Sequence, residues 1–311
     1  MIELNEAGNI QRLAKALNSV LRLEIIRLLS PDRKYNIDEL AGLLHVTNGA
    51  MTAHIRQLQE AGILDIELAS GRRGSQKICR LRENSFLIRL VGDSRASGSY
   101  ETELPVGGYC RYRVQPTCGI STADSLIGEV DDPRYFADPC HSEAGILWLA
   151  HGFVEYRIPN YMKADQRLAR LQLSFEISSE APGYCNDWPS DIHFSINGLP
   201  MGFWTSPGDF GGRKGLYTPA WWLKGWNQYG LLKWLEVNDE GTFVDGGRIS
   251  DTRIGDLGIG FAGEILFRLE VPDTARHPGG MTLFGRGFGN YNQGIRVCMD
   301  CETLPGAAAP R

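Results

Sequence analysis

Six of the seven tryptophans fall between Trp188 and Trp234, and their neighbours are polar. Asn186-Asp187-Trp188-Pro189-Ser190-Asp191 is followed by Trp204, by Ser206-Pro207-Gly208-Asp209 and Arg213, by Trp221-Trp222, and by Trp226-Asn227-Gln228-Tyr229. Core tryptophans usually sit in alternating apolar strands, as Trp148 and Trp234 do. Trp188, Trp221, Trp222 and Trp226 sit instead in loop-like sequence beside amides and carboxylates. That combination has a definite chemistry. The C–H face of a sugar ring stacks on an indole, while Asp, Asn, Gln and Arg hydrogen-bond the hydroxyls around its edge. A nucleoside or another polar small molecule would use the same groups. The candidate ligand-binding residues are therefore Asn186, Asp187, Trp188, Asp191, Trp204, Asp209, Arg213, Trp221, Trp222 and Tyr229. The competing reading is that these aromatics pin long loops onto their domain.

Two further chemistries fit the residue types less well. Asp187, Asp191, Asp209, Glu155 and Glu176 could include a pair for two-carboxylate glycoside hydrolysis, but carboxylates that only bond sugar hydroxyls leave the same trace. Cys298-Met299-Asp300-Cys301 is a bare CxxC, and zinc would need two more ligands brought in by folding, from Cys118, Cys140-His141 or Cys185. Free thiols are the simpler reading, with the second cysteine at the fraying end of a strand over 295–299, and no metal is expected. GFGNYNQG and FGGRKG lack the strand-to-helix setting of a phosphate cradle, and with no Walker-type loop, nucleophile elbow or HExxH present no cofactor is expected.

A second set of residues points to nucleic acid. Asn36–Ile63 reads as helix, tight turn, helix: Ile37, Leu40 and Leu43/Leu44 recur at helical spacing, and Thr47 caps a second helix. Met51, Ile55 and Leu58 must face inward there. Asn48, Thr52 and Arg56 share one outward stripe and Gly49 and Ala53 another, the short polar face that a major groove admits. Ile63–Leu68 and Lys77–Leu81 then form a β-hairpin with Arg72 and Arg73 at its tip, and Lys77, Arg80 and Arg82 on the returning arm. A basic hairpin directly after such a helix pair is a wing, whose cations suit phosphates.

These residues resemble a known family. LAKALNSVLRLEIIRLL, then NIDELAGLLHVTNGAMTAHIRQLQEAGIL, then the GRRG wing, look like the ArsR-type winged-helix transcriptional regulators over about residues 8–83. The resemblance implies that Asn48, Gly49, Thr52 and Ala53 lie over the bases, and that His54, Arg56 and the wing arginines Arg72 and Arg73 hold phosphates; Thr47 at the helix start and Lys77 on the wing complete the candidate DNA-binding set. It also implies a dimer made through terminal helices. The family's usual metal-sensing cysteines are absent from ELAGLLHV. A looser resemblance, carried by PTCGIS, DDPRYF, VEYRIPN, NDWPSDIHF, TSPGDFGGRKG and QYGLLK, links residues 116–296 to the C-terminal region of a subgroup of ArsR-like regulators.

The elements that must position both sets divide the chain. At 311 residues with 42% hydrophobic and 22% charged content, two soluble domains are expected. The net charge of −5 argues against nucleic acid as a partner, but it is unevenly spread: residues 1–84 hold 12 Lys/Arg against 10 Asp/Glu, and the remainder 20 against 27. Residues 1–84 read as a winged helix-turn-helix, with a helix break near Asn18-Ser19. Residues 85–99 thin into Gly and Ser and read as a linker. From Tyr100 to the end, alternating runs at 109–115, 146–158, 168–178, 191–196, 230–237, 264–271, 281–284 and 295–299 are separated by turn residues, which predicts an all-β, jelly-roll-like sandwich. No apolar run reaches membrane-spanning length and no secretory signal opens the chain, so a cytoplasmic protein with free thiols is expected.

The sequence thus reads as a multidomain α+β one-component regulator and not an enzyme. A winged helix binds operator DNA as a homodimer, a β-sandwich senses a small polar effector such as a mono- or oligosaccharide, and repression relieved by ligand is the commoner logic. Two alternatives stay open: a two-carboxylate glycosidase carrying a DNA-binding head, and a sandwich that serves as a dimerisation or partner module.

Overall fold

Helix caps and β-alternation account for most of the described elements. The computed structural model describes residues 2–4, 7–29, 33–71, 74–82, 86–88 and 98–304, and the chain divides into two units, Met1–Ser94 and Arg95–Arg311.

The first unit runs β1 (Ile2–Leu4), α1 (Ala7–Leu17), α2 (Val20–Leu28), β2 (Tyr35–Asn36), α3 (Ile37–Leu43), α4 (Asn48–Glu60), β3 (Leu64–Gly71), β4 (Gly74–Leu81) and β5 (Phe86–Ile88). Local chemistry sets the starts of α2, α3 and α4. The Ser19 hydroxyl accepts from the Arg22 N–H at the head of α2, and Asn36 and Glu39 form a reciprocal capping box on α3. Thr47 Oγ1 accepts from the Ala50 N–H, 3.3 Å away, to open α4. Gly62, at φ +73°, turns the chain out of α4 into the hairpin. β4 pairs antiparallel with both β3 and β2, giving the order β2-β4-β3. Leu13, Ile25, Leu40, Met51, Ile55 and Leu58 close the core beneath them.

Arg22 is buried in this unit. Its guanidinium donates to the carbonyls of Ala16 (2.6 Å), Lys15 (2.7 Å) and Asn18 (3.2 Å), supplying donors to the open carbonyl end of α1. The expected linker over 85–99 needs correction at both ends. Phe86–Ile88 is a strand paired in parallel with Ile2–Leu4, and Gly98 already pairs with Cys301. Apolar Phe86, Leu87 and Ile88 find backbone partners near the chain's start, which a scan for Gly and Ser cannot reveal.

The second unit holds β6 (Gly98–Leu104), β7 (Tyr109–Ser121), β8 (Ile146–Ile158), β9 (Gln166–Ser178), β10 (Ser190–Ile196), β11 (Leu199–Ser206), β12 (Leu231–Val237), β13 (Thr242–Val244), β14 (Gly247–Ser250), β15 (Ile265–Val271), β16 (Met281–Phe284) and β17 (Ile295–Thr303). Its described pairings are all antiparallel and arrange as two layers, β7-β8-β15-β10-β11 and β6-β17-β9-β12-β13-β14. β16 belongs to both: Met281–Phe284 pair with 146–149 of β8, while Thr282–Phe284 pair with 176–178 of β9. The layers close on each other through Phe175, whose ring centroid lies 6.0 Å from that of Phe194 and 5.9 Å from that of Phe267. Alternation is strict where one face is buried, as along β15, where Ile265, Phe267, Leu269 and Val271 are buried and the residues between them are half-buried.

Each of the eight expected runs is a strand, and four more, β6, β11, β13 and β14, join them. β11 hides in the sequence because Pro200 and Gly202, the latter at φ +102°, interrupt its alternation. β17 runs on to Thr303 because Gln166–Leu168 of β9 supply partners, so Cys301 is buried within the strand rather than fraying at its end. None of the seven cysteines forms a disulfide. Among the described residues no helix is long and apolar enough to cross a membrane.

Phe175 touches both layers, so Phe175→Ala is expected to cost about 3–5 kcal/mol by leaving a cavity between them. Urea unfolding followed by circular dichroism measures this.

Candidate functional site

On α4 the outward stripe is as expected: Asn48, Gly49, Thr52 and Arg56 are exposed, opposite buried Met51, Ile55 and Leu58. Each polar member has an intramolecular partner. Asn48 Nδ2 donates to Asp38 Oδ1 (2.6 Å), Thr52 Oγ1 to the Asn48 carbonyl (2.8 Å), and Arg56 pairs with Glu60 (2.7 Å). Thr47 spends its hydroxyl on the cap. His54 departs from expectation. It is half-buried, and its Nδ1 lies 3.3 Å from Arg22 Nη1. Three residues after Met51 and four before Leu58, it shares their inward side and positions α4 against Arg22 instead of reaching outward. Lys77 is exposed on β4, Arg80 is paired with Asp65 and Glu67, and Arg72 and Arg73 lie outside the described residues.

The tryptophan loops gather where β8 begins, β9 ends and β16 bridges them. Backbone hydrogen bonds tie the loop after β9 to the loop after β11: Ser179 N–H to the Gly208 carbonyl (3.1 Å) and Trp188 N–H to the Pro207 carbonyl (3.0 Å). Tyr217 N–H reaches the Gly289 carbonyl (2.8 Å), and Phe210 stacks on Tyr229 at 5.4 Å. The Arg213 guanidinium lies 4.4 Å over the Tyr229 ring.

Within this system the aromatics divide in two. Trp222 is buried with Ile146, Trp148, Phe284 and Phe288, and its Nε1 donates to the Asn227 carbonyl. Trp226 is half-buried against the same cluster. Trp188 and Trp221 are 39% and 40% exposed, and each is tethered by its indole N–H, to the carbonyls of Glu180 (3.1 Å) and Ala123 (2.6 Å). A tethered indole with an open surface is a fixed platform. Asn186 and Asp187 are exposed beside Trp188 in the same loop. Trp222 and Tyr229, expected to meet ligand, are corrected to supports, because the platform loops close over them. Trp204 is half-buried on β11 with Lys233 Nζ 4.6 Å over its ring.

The expected carboxylates are mostly committed. Glu155 is buried between Arg268 (2.9 Å) and Arg111 (3.3 Å). Asp191 is buried, accepting from Thr205 Oγ1 (2.7 Å) and the His277 N–H (3.1 Å) and facing His277 Nδ1. Burial works to raise its carboxyl, but these hydrogen bonds and the imidazole hold it below the usual range. Glu176 is buried and accepts three backbone N–H groups, from Gly230, Asn290 and Tyr291, each at 2.8 Å. Burial pushes this carboxyl up to about 8 against the pull of those donors. Asp209 is fully buried and is corrected from ligand contact to loop anchor: Oδ2 accepts from the Ala181 N–H (3.0 Å), and burial raises the carboxyl to about 7. Asp187 alone of the five is exposed, which leaves no open two-carboxylate pair in that set.

Sequence reasoning passed over Glu180, which lies just past β9. Its carboxylate accepts from Thr282 Oγ1 (2.7 Å) and Asn227 Nδ2 (2.9 Å), with Thr117 Oγ1 at 3.4 Å. The available signal was an acidic residue directly after Ser178-Ser179, where a strand whose second half, 171–178, is continuously buried comes to its end. A cavity of about 290 Å³ lies elsewhere, lined by Glu103, Val106, Glu143 and Arg286 among others, and holds none of the residues singled out above.

No family model matches the chain, and no curated protein matches it. Among solved structures it is similar to the CBM36-1 domain of a multidomain xylanase from the hindgut metagenome of Trinervitermes trinervoides. That likeness has 9% identity and a TM-score of 0.29 and covers 68% of this chain and 100% of that one. It is also similar to dimeric latent PorU from Porphyromonas gingivalis, at 9% identity and a TM-score of 0.21, over 65% of this chain and 14% of that one. Overlaps this loose carry no argument about what the chain binds.

The division of the tryptophans has a measurable consequence. Trp222→Ala is expected to destabilise the second unit by about 3–5 kcal/mol. Trp188→Ala and Trp221→Ala, each losing one indole–carbonyl bond and partial burial, are expected to cost only about 1–2 kcal/mol in the same urea titration.

Proposed function

We propose that this chain is a DNA-binding regulator whose β-sandwich senses a polar effector. The observation that carries the DNA-binding half is the order of the first unit. β2 leads into α3, a four-residue turn separates α3 from α4, and the β3–β4 hairpin returns to pair with β2. A polar helix face with a hairpin beside it suits a major groove flanked by phosphates, as in winged helix-turn-helix regulators of ArsR type. Asn48, Gly49 and Thr52 read the groove, while Arg56, Lys77, Arg72 and Arg73 neutralise phosphates. As a two-fold dimer the protein would span half-sites about one helical turn, roughly 34–36 Å, apart.

For the sandwich, tethered Trp188 and Trp221 with Asn186 and Asp187 beside Trp188 favour a sugar: flat apolar surface with hydrogen-bonding groups at its edge. Sensing is favoured over turnover because four of the five expected carboxylates are buried and only Asp187 is open.

Selection from random duplexes tests the first half. The wild type is expected to enrich a palindromic site, with Thr52→Ala altering the preferred sequence. Arg72→Ala/Arg73→Ala should weaken binding to all sequences alike and reduce the salt slope by about one for each phosphate no longer neutralised. Retention of no duplex at low salt sinks the DNA-binding reading. For the second half, thermal shift against a panel of mono- and oligosaccharides should give a stabilising ligand whose effect disappears in Trp188→Ala and Trp221→Ala.

A further inference from the structure

Glu180 and Asp209 lie on the two loops that carry the platform, and one hydrogen bond from the residue after Glu180 ties them together. Asp209 Oδ2 accepts from the N–H of Ala181, the residue next to Glu180. Asp209 Oδ1 is buried and has no hydrogen-bond partner. Every hydrogen-bond donor to the Glu180 carboxylate is uncharged: Thr117 from β7, Thr282 from β16 and Asn227 from the loop before β12. Among the described residues neither carboxyl forms an ion pair. The nearby titratable group on β7 is Cys118, whose thiol is itself pushed up to about 12, by burial first and then by Asp131, Asp132 and Glu180. Two buried acids on loops joined at Ala181, neither with a cation, cannot both ionise cheaply, since each charge is desolvated and Asp209 opposes the charge on Glu180.

The same two residues hold the platform down. The Glu180 carbonyl tethers the Trp188 indole, and its carboxylate holds Asn227, whose carbonyl receives the Trp222 N–H. The Asp209 N–H donates to the Cys185 carbonyl (2.8 Å), stitching the Trp188 loop to the loop after β11.

We infer that Glu180 and Asp209 form a proton-dependent latch, closing the aromatic loops onto the sandwich while the pair retains a proton and releasing them when both carboxyls ionise. The sign follows from the environment. Burial, then Asp209, lifts Glu180 well above the usual carboxylate range, and burial lifts Asp209 to about 7. Groups raised in this way stabilise the closed form at acid pH, and that stabilisation is lost as pH rises through the folded-state value. The latch should therefore open on the mildly alkaline side of neutrality. Any effect of the latch on effector affinity rests on the effector-site reading above; the latch itself does not.

The test reads the loops directly on the full chain, with no ligand present. Between about pH 6 and 9, tryptophan emission should shift to the red, and amide exchange in 181–189 and 207–228 should rise at least about tenfold beyond its intrinsic pH dependence, while far-ultraviolet circular dichroism stays constant. Asp209→Asn or Glu180→Gln, either of which removes one ionisation, should at least halve the spectral change. Asp187→Asn, on the same loop but exposed, should leave it intact. Flat emission and exchange in the wild type, or an unaltered transition in both latch variants, would overturn the inference. So would a transition that shifts with added calcium or vanishes with a chelator, because a cation and not a proton would then neutralise the pair.

Discussion

The double pairing of β16 is the constraint on which the second unit depends. β8 and β9 lie in different layers, and Met281–Phe284 joins them at one end by bonding to both. Closure there brings the start of β8, the exit of β9 and the loops between β11 and β12 together. It also creates the buried floor of Trp148, Trp222, Phe284 and Phe288 on which those loops rest. Thr282, at the centre of the bridging strand, points a hydroxyl to Glu180, so the strand that joins the layers also bonds the acid beneath the platform.

Long loops need such supports because their backbone groups must find partners away from regular ladders. Here buried polar side chains provide them. Glu176 receives three N–H groups, Gln228 donates to two carbonyls, and Asn227 joins Glu180 to Thr282. The two exposed indoles keep their positions through hydrogen bonds to backbone carbonyls rather than through burial alone. A rigid aromatic surface on polar supports would bind a ligand with little ordering cost, as the proposed sensing role requires.

Much of the scaffold was legible in the sequence, because alternation and capping are local. Asn36 with Glu39, Thr47 and Gly62 mark the ends of α3 and α4, and the run ILWLAHGFVEYRI marks β8 to the residue. What was hidden depends on distant contacts. Trp221 and Trp222 are adjacent, yet one is exposed and the other is core, a difference made by Phe288 and Trp148 far along the chain. Asp209 looks like a ligand residue between Gly and Phe until the loop after β9 supplies the Ala181 N–H that it anchors. His54 is a different case: its spacing from Met51 and Leu58 already placed it inward, and the family resemblance outweighed that periodicity.

The cradle around Glu176 has a consequence for how such a chain can vary over time. Gly289 sits at φ +71°, and a Cβ placed there would lie 2.4 Å from both carboxylate oxygens. The carboxylate and the missing side chain therefore occupy one volume between them. Neither position can drift alone: a side chain at 289 requires a shorter residue at 176, and a shorter residue at 176 leaves three N–H groups without an acceptor. The two sites, 113 positions apart in sequence, are bound to a single evolutionary fate.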